Sequence, residues 1–385
     1  MKKFYFSFFL FIALFLLSCA DKPKSIGNNL IPPGDMFNFA ETTFTAVSDS
    51  VFRTPIVNGY ASSNLVGKLP GGEDFVTLLQ FYALSGLDSL KGAMIDTAEI
   101  RLTVNYRMLP APPPIQFTVY ELQNQFSEGT FTSDSLTSTL IGTVPVGTFS
   151  DSMNFAQQVT ARIDTAVVRK WADDFLDTSK PAFYGFAIRA TGASGVIGFS
   201  PFNFYSSTSP LLVIKFTRNG RHDSLFFNIG QDTFVETSVV PQTYTPLEVR
   251  GGSGVRADIK FTITSLPEKP IVNNATMILT VDTVASVYSG FSPDSLIATL
   301  TVRNNTTDSS LYAYGFKKTG SNGEKTYEFN CTQIVQRWLS NLSVNSGLTI
   351  RWAAENSTSE KIVFYPVSDA IRGPKLKIFY AEKNQ

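Results

Sequence analysis

Histidine is almost absent from this chain, with His222 its single representative among 385 residues. That excludes HExxH metal sites, histidine clusters and a Ser-His-Asp relay, all of which need imidazole as ligand or base. Cysteine is scarce too, with only Cys19 and Cys331. Basic and acidic residues each number 32 and are interspersed. No basic stripe exists, so nucleic-acid binding is not expected. After Asp21 no uncharged apolar run approaches the ~20 residues of a membrane-spanning helix. The cluster Gly251-Gly252-Ser253-Gly254 lacks the GK[ST] ending of a phosphate loop and lies between strand-like segments, so it reads as a flexible hairpin.

The start of the chain is distinctive. Met1-Lys2-Lys3 precedes FYFSFFLFIALFLL, Phe4 to Leu17, which is apolar apart from one serine. The run gives about 21 Å of helix, too short to span a bilayer, and residues 1–18 read as a signal peptide. Leu16-Leu17-Ser18-Cys19 resembles the lipobox of bacterial lipoproteins. The resemblance implies cleavage before Cys19, acylation of Cys19 and a lipid anchor in the membrane. Ala20 rather than aspartate after the cysteine implies the outer membrane, and no acidic run follows to direct surface export. Residues 19–40 carry Pro, Gly and Asn without a period and read as the lipidated tether. Beside an acylated Cys19, Cys331 has no disulfide partner and is expected as a small buried apolar residue.

The rest is written twice. Asp49-Ser50 recurs as Asp232-Thr233, and LVGKLPGGEDFVTLLQF (Leu65 to Phe81) as LEVRGGSGVRADIKF (Leu247 to Phe261). IDTAEIRLTV (Ile95 to Val104) recurs as VNNATMILTV (Val272 to Val281), and AVVRKWADDF (Ala166 to Phe175) as QIVQRWLSNL (Gln333 to Leu342). GFAIRA (Gly185 to Ala190) matches GLTIRW (Gly347 to Trp352), Phe204-Tyr205 matches Phe364-Tyr365, and SPLLVIKF (Ser209 to Phe216) matches GPKLKIFY (Gly373 to Tyr380). The shared order predicts two homologous units, residues 41–218 and 219–385, joined at the tight turn Arg218-Asn219-Gly220-Arg221. Abundant phenylalanine and period-two alternation predict an all-β chain of two tandem antiparallel β-sandwich (jelly-roll-like) units. Each has one short helix, whose stripe is Val167, Trp171, Phe175 or Ile334, Trp338, Leu342. All three tryptophans, Trp352 included, fall on apolar faces and are expected in the core.

This order of blocks resembles the disaggregatase-related (DNRLRE) repeat domain, a carbohydrate-binding-module-like jelly roll of exported proteins. IGNNLIPP, Ile26 to Pro33, is similar to the start of envelope lipoproteins of unknown function from Bacteroidota-type bacteria. The resemblance implies polysaccharide binding but carries no ligand residue over. From the residues themselves, Tyr205 and Tyr365 are the ligand candidates, set outward if Phe204 and Phe364 face in. No cofactor is expected; Asp49 and Asp232 are the candidates for calcium, against a plain role in turns. Asp173-Asp174 reads as helix-surface charge rather than a glycosidase pair, because its counterpart is Ser340-Asn341. His222 reads as a solvent-exposed turn residue. The expectation is a non-catalytic envelope lipoprotein that binds a polysaccharide or an envelope partner. A structural assembly lipoprotein is the alternative, and a carboxylate-based glycan-cleaving enzyme comes third.

Overall fold

The computed structural model describes residues 37–383 apart from 70–72, 82–84, 109–114, 152–153, 176, 178, 180–182, 192–194, 204–205, 238–245, 269, 289–294 and 303–305. The signal peptide, Cys19, the tether up to residue 36 and Tyr205 lie outside the described residues. The first repeat supplies β1 (Phe37–Arg53), β2 (Asn64–Lys68), β3 (Asp74–Phe81), β4 (Met94–Met108), β5 (Ile115–Leu122), β6 (Ile141–Asp151), β7 (Gln158–Ile163), α1 (Thr165–Asp174), β8 (Gly185–Ala190), β9 (Gly195–Phe199) and β10 (Leu211–Arg218). The second supplies β11 (Arg221–Glu236), β12 (Leu247–Arg250), β13 (Val255–Phe261), β14 (Ile271–Thr280), β15 (Ser295–Val302), β16 (Thr306–Thr319), β17 (Lys325–Asn330), α2 (Thr332–Leu339), β18 (Leu348–Trp352), β19 (Lys361–Phe364) and β20 (Lys375–Lys383).

The chain is all-β with two antiparallel units, each a sheet curled until it closes. Alternation drives this. In β4 the residues Ala98, Ile100, Leu102, Val104, Tyr106 and Met108 are buried, while the residues between them are half-exposed. In the first unit the ring of pairings runs β10, β11, β3, β8, β5, β6, β7, β4 and back to β10. In the second it runs β20, β1, β13, β18, β15, β16, β17, β14 and back to β20. In each, a short pair, β2–β9 or β12–β19, is strapped alongside the third strand of the ring.

The rings amend the division expected from sequence. The repeat boundary at Arg218 falls inside a hairpin, because β11 turns back on β10 and completes the first sheet. The turn forms as predicted: Asn219 and Gly220 both have positive φ, 53° and 74°, which suits a two-residue hairpin loop. The equivalent strand of the other repeat, β1, is absent from the first sheet. Phe37 to Thr45 pair with β20, and Ala46 to Arg53 pair with β13, so β1 closes the second unit. Local pattern specifies that a segment is a strand; which partner it takes is a tertiary choice.

The helices lie where the tryptophan phrases predicted. Trp171 and Trp338 are buried with Val168 and Ala172, or Ile334 and Val335, beside them. The predicted stripe runs one turn too far, since Phe175 and Leu342 follow the helix ends and are exposed. Trp171 stacks on Phe183 at 3.7 Å and donates its indole N–H to Glu121 Oε1 at 2.7 Å. Gly185 and Gly347, which open β8 and β18, have φ of 143° and 111°. Each sits over the carbonyl of an equivalent residue, Leu79 or Ile259, where a Cβ would collide or crowd.

The two units meet closely. Gly251 to Gly254 form the β12–β13 turn, but it is buried rather than flexible, which corrects the sequence reading. A Cβ on Gly252 would lie 2.8 Å from Phe75 of the first unit, so glycine is required for the approach. Asn58 donates to the carbonyls of Phe234 and Gly252, and Tyr106 Oη lies 3.1 Å from Ser359 Oγ. Arg250 bridges Glu73 of the first unit and Glu248 of the second, all three largely buried. Removing the guanidinium from such a site would leave two buried carboxylates unpaired, worth about 3–5 kcal/mol.

A chain beginning at residue 54 tests the closure by β1. Hydrogen exchange should accelerate across β20 and β13, whose partner is gone, while β10 and β11 keep their protection. Unchanged protection of β20 would contradict the closure.

Candidate functional site

One strand of the second unit carries a row of exposed aromatic residues. In β16, Leu311, Ala313 and Gly315 alternate with Tyr312, Tyr314 and Phe316. The first set turns inward, Leu311 and Ala313 packing on the core. Gly315 is needed there because a Cβ would stand 2.3 Å from the Phe329 ring. The second set turns outward and is 52%, 46% and 58% exposed. Tyr314 and Phe316 have ring centroids 6.3 Å apart and lie within 30° of parallel, a two-ring platform. Tyr312 meets Tyr314 edge-on at 5.4 Å.

Neighbouring strands extend the face. Tyr314 pairs with Ile297, which pairs with Arg351; Tyr312 pairs with Thr299, then Thr349, then Asp258. The Asp258 carboxylate accepts from the Thr349 hydroxyl and, at 3.3 Å, from Thr301. Burial raises its pKa, and the two hydroxyls oppose the rise. Three cations near the face have partners. Arg256 makes a two-point contact with Glu355 at 2.8 and 2.9 Å, Lys318 pairs with Glu328, and Arg351 donates to the Trp352 carbonyl.

The equivalent face of the first unit is different. Strand register places Thr148 and Ser150 where the second unit has Tyr314 and Phe316, and Val76, Leu78 and Ala187 where it has Arg256, Asp258 and Thr349. There Phe126, Phe131 and Leu140 of the β5–β6 connection cluster with Val76, Leu78 and Ala187 and cover the sheet. Nearby, a shallow groove of about 580 Å³ is lined by Tyr120, Leu136, Thr137 and Arg189 among others. The aromatic face was missed in sequence although YAYGF carried the signal: aromatics at i, i+2 and i+4 between small residues.

The residues singled out from sequence are placed as follows. Tyr365 is half-buried, and the Arg372 guanidinium covers its ring at 3.7 Å, held there by Asp369. Its partner in the repeat is Ser200, not Tyr205, because Ser200 and Tyr365 donate to the equivalent carbonyls of Thr103 and Thr280. Asp49 and Asp232 do recur, and they do the same job. Asp49 accepts from the Val367 amide and Asp232 from the Phe202 amide, each the residue after the proline that follows β19 or β9. Among the described residues no group of three or more His, Cys, Asp or Glu is arranged to hold a metal. Asp173 and Asp174 lie at the C-terminal end of α1, Asp173 exposed. His222 is exposed beside the β10–β11 turn, with Nδ1 2.8 Å from Thr217 Oγ1. Cys331 is fully buried in the second core, and burial pushes its thiol up to about 12.

No family model matches this chain, and no curated protein matches it. A solved structure named "BspA_C_WT" aligns over 88% of this chain and 91% of its own, with 7% identity and a TM-score of 0.18. At those values it supports no functional argument.

Asp232 gives a pH signature. Burial raises its carboxyl to about 6, with the Phe202 amide and the Asn64 side chain opposing. Between the ordinary carboxylate range and about 6, the folded chain holds a proton that the unfolded chain has lost. This group therefore makes stability fall as pH rises through that window. Asp232→Asn keeps an acceptor for the amide and removes the slope. Urea unfolding should find the variant more stable than the parent at pH 7.5 by on the order of 1–3 kcal/mol, and equal to it near pH 4.

Proposed function

We propose that this protein is a lipid-anchored component of the cell envelope that binds a neutral polysaccharide, without catalysis, through the exposed aromatic row of its second unit. The carrying observation is the exposed row Tyr312, Tyr314 and Phe316. A sugar ring presents C–H groups on its faces and hydroxyls around its edge. The two outward rings accept the faces by apolar contact, and the exposed Tyr312 and Tyr314 hydroxyls offer partners to the edge. Three outward aromatics in a row desolvate poorly for nothing, and single exposed apolar residues are ordinary while a contiguous patch is not. The ion pairs of Arg256 with Glu355 and of Lys318 with Glu328 favour a neutral chain over an acidic one, which would compete with those carboxylates.

The envelope part of the reading rests on the apolar run Phe4 to Leu17 and on Cys19. Two acyl chains or more hold a protein on a membrane; one does so only marginally.

Two measurements bear on this. Residues 20–385 run through gels containing neutral or acidic polysaccharides should be retarded by a neutral one. Tyr314→Ala and Phe316→Ala should each weaken that affinity about tenfold, roughly 1.4 kcal/mol, while Tyr365→Ala, whose ring Arg372 already covers, should change little. No retardation in any gel would move the reading to an assembly lipoprotein that packs on other envelope components. Separately, labelled palmitate should enter the wild-type chain in cells and be lost in Cys19→Ser.

A further inference from the structure

A second apolar patch lies on the other side of the same unit. In the ring of the second sheet, β1 is four strands from β16 by either route, through β20, β14 and β17 or through β13, β18 and β15. The N-terminal half of β1 therefore faces away from the aromatic row. Its outward residues are Phe37 and Phe39, 46% and 63% exposed. Phe39 pairs across to Ala381, and Ala381 pairs to Ile271, which is 52% exposed. Phe379, two residues along β20, stacks on Phe39 with centroids 5.9 Å apart. Next along the face, Glu41 and Lys377 form an ion pair at 2.9 Å. The result is a contiguous apolar surface bounded by charge.

Its place in the chain says what covers it. The 36 residues that precede the described structure join it at Phe37, inside the patch itself. Those residues contain the only long apolar run of the sequence, Phe4 to Leu17, and the cysteine at position 19. An anchor at position 19 would keep the patch, which begins at Phe37, within reach of the same bilayer. Phenylalanines at the rim of a sheet, with Lys377 beside them, suit the boundary between acyl chains and headgroups.

We infer that the surface formed by Phe37, Phe39, Ile271 and Phe379 rests on the lipid bilayer. The second unit is thereby oriented with its aromatic row pointing away from the membrane. This rests on the membrane-anchored reading, so the test is arranged to be independent of acylation.

The chain from residue 20 onward, which keeps every described strand, is given an N-terminal histidine tag. It is then tethered to phosphatidylethanolamine–phosphatidylglycerol vesicles carrying a nickel-chelating lipid. Phe39→Cys and Tyr314→Cys are made separately and labelled with a fluorescent thiol reagent. Labelling is selective because Cys331 is fully buried. Nitroxide-bearing lipids should quench the label at position 39 at least about twofold more than at position 314. Adding Phe379→Ser, which removes the stacked neighbour, should reduce quenching at position 39. Equal, weak quenching at both positions would overturn the inference, since the body would then stand clear of the bilayer. It would also be overturned if the lipid-free chain sedimented as a dimer with position 39 shielded from iodide, because the patch would then be covered by a second copy. Absence of palmitate from the wild-type chain would sink the anchor without affecting either result.

Discussion

The pairing of β1 with β20 and β13 is the interaction on which the rest of the second unit depends. An open β-sheet offers unpaired amides and carbonyls at both edges, which recruit other chains. The first unit removes its edges cheaply, since the next strand in the chain is a two-residue turn away. The second has no following strand among the described residues, and β1 fills the gap from more than 300 residues upstream. Loop closure over such a distance grows only slowly with length, so the arrangement is tolerable in stability while slowing folding. It also explains the firm junction. Because β1 lies in one unit and β2 in the other, the chain crosses between them before β2 and again before β12. Two crossings hold the units face to face, and only then can a buried bridge such as Glu73–Arg250–Glu248 and a turn as tight as Gly251 to Gly254 persist between them.

Equivalent strands have met different fates. Over β3, β5 and β8 of the first unit, the long β5–β6 connection lays Phe126, Phe131 and Leu140 on Val76 and Leu78. Over β13, β15 and β18 the connection is short, and the face carries Asp258, Thr349 and Arg351 instead of aliphatic residues. The substitutions agree with one another: the first unit's face is buried beneath apolar side chains, while in the second Thr299, Thr301 and Thr349 are buried with their hydroxyls bonded to one another, to Asp258 or to a strand carbonyl. Exposed aromatics are what that logic does not require, which is why Tyr312, Tyr314 and Phe316 stand out as surface kept for something else.

Much of this was legible in the sequence, because the periodic signals were local. The tryptophan phrases, the Asn219-Gly220 turn and the inward strand faces could be read from spacing alone. So could the recurrence of Asp49 as Asp232, although its use as a cap for a backbone amide could not. What escaped were facts about partners. Nothing in FNFAETTFTAVSDSVFR says which sheet it joins. Ser200 and Tyr365 differ so much in type that the sequence match slipped to Tyr205, and only the shared carbonyl acceptors restore the register. Gly251 to Gly254 looked flexible because glycine permits flexibility, yet glycine equally permits close approach, and Phe75 decides between the two.

The closure has one further consequence for how the molecule is used. A strand taken from the N-terminus fixes where the chain enters the body, and in an eight-strand ring that also fixes what lies opposite. Had the second unit been closed by a strand following β20, the N-terminal segment would have led into the first unit, where the described residues form no such aromatic row. By closing with β1, the chain attaches its leading segment directly to the unit that bears Tyr314 and Phe316, on the far side of the ring. On the proposed reading, the attachment and the aromatic row lie on opposite sides of the second unit and need no hinge between them. On that reading the first unit serves as a brace, its buried junction with the second holding that orientation.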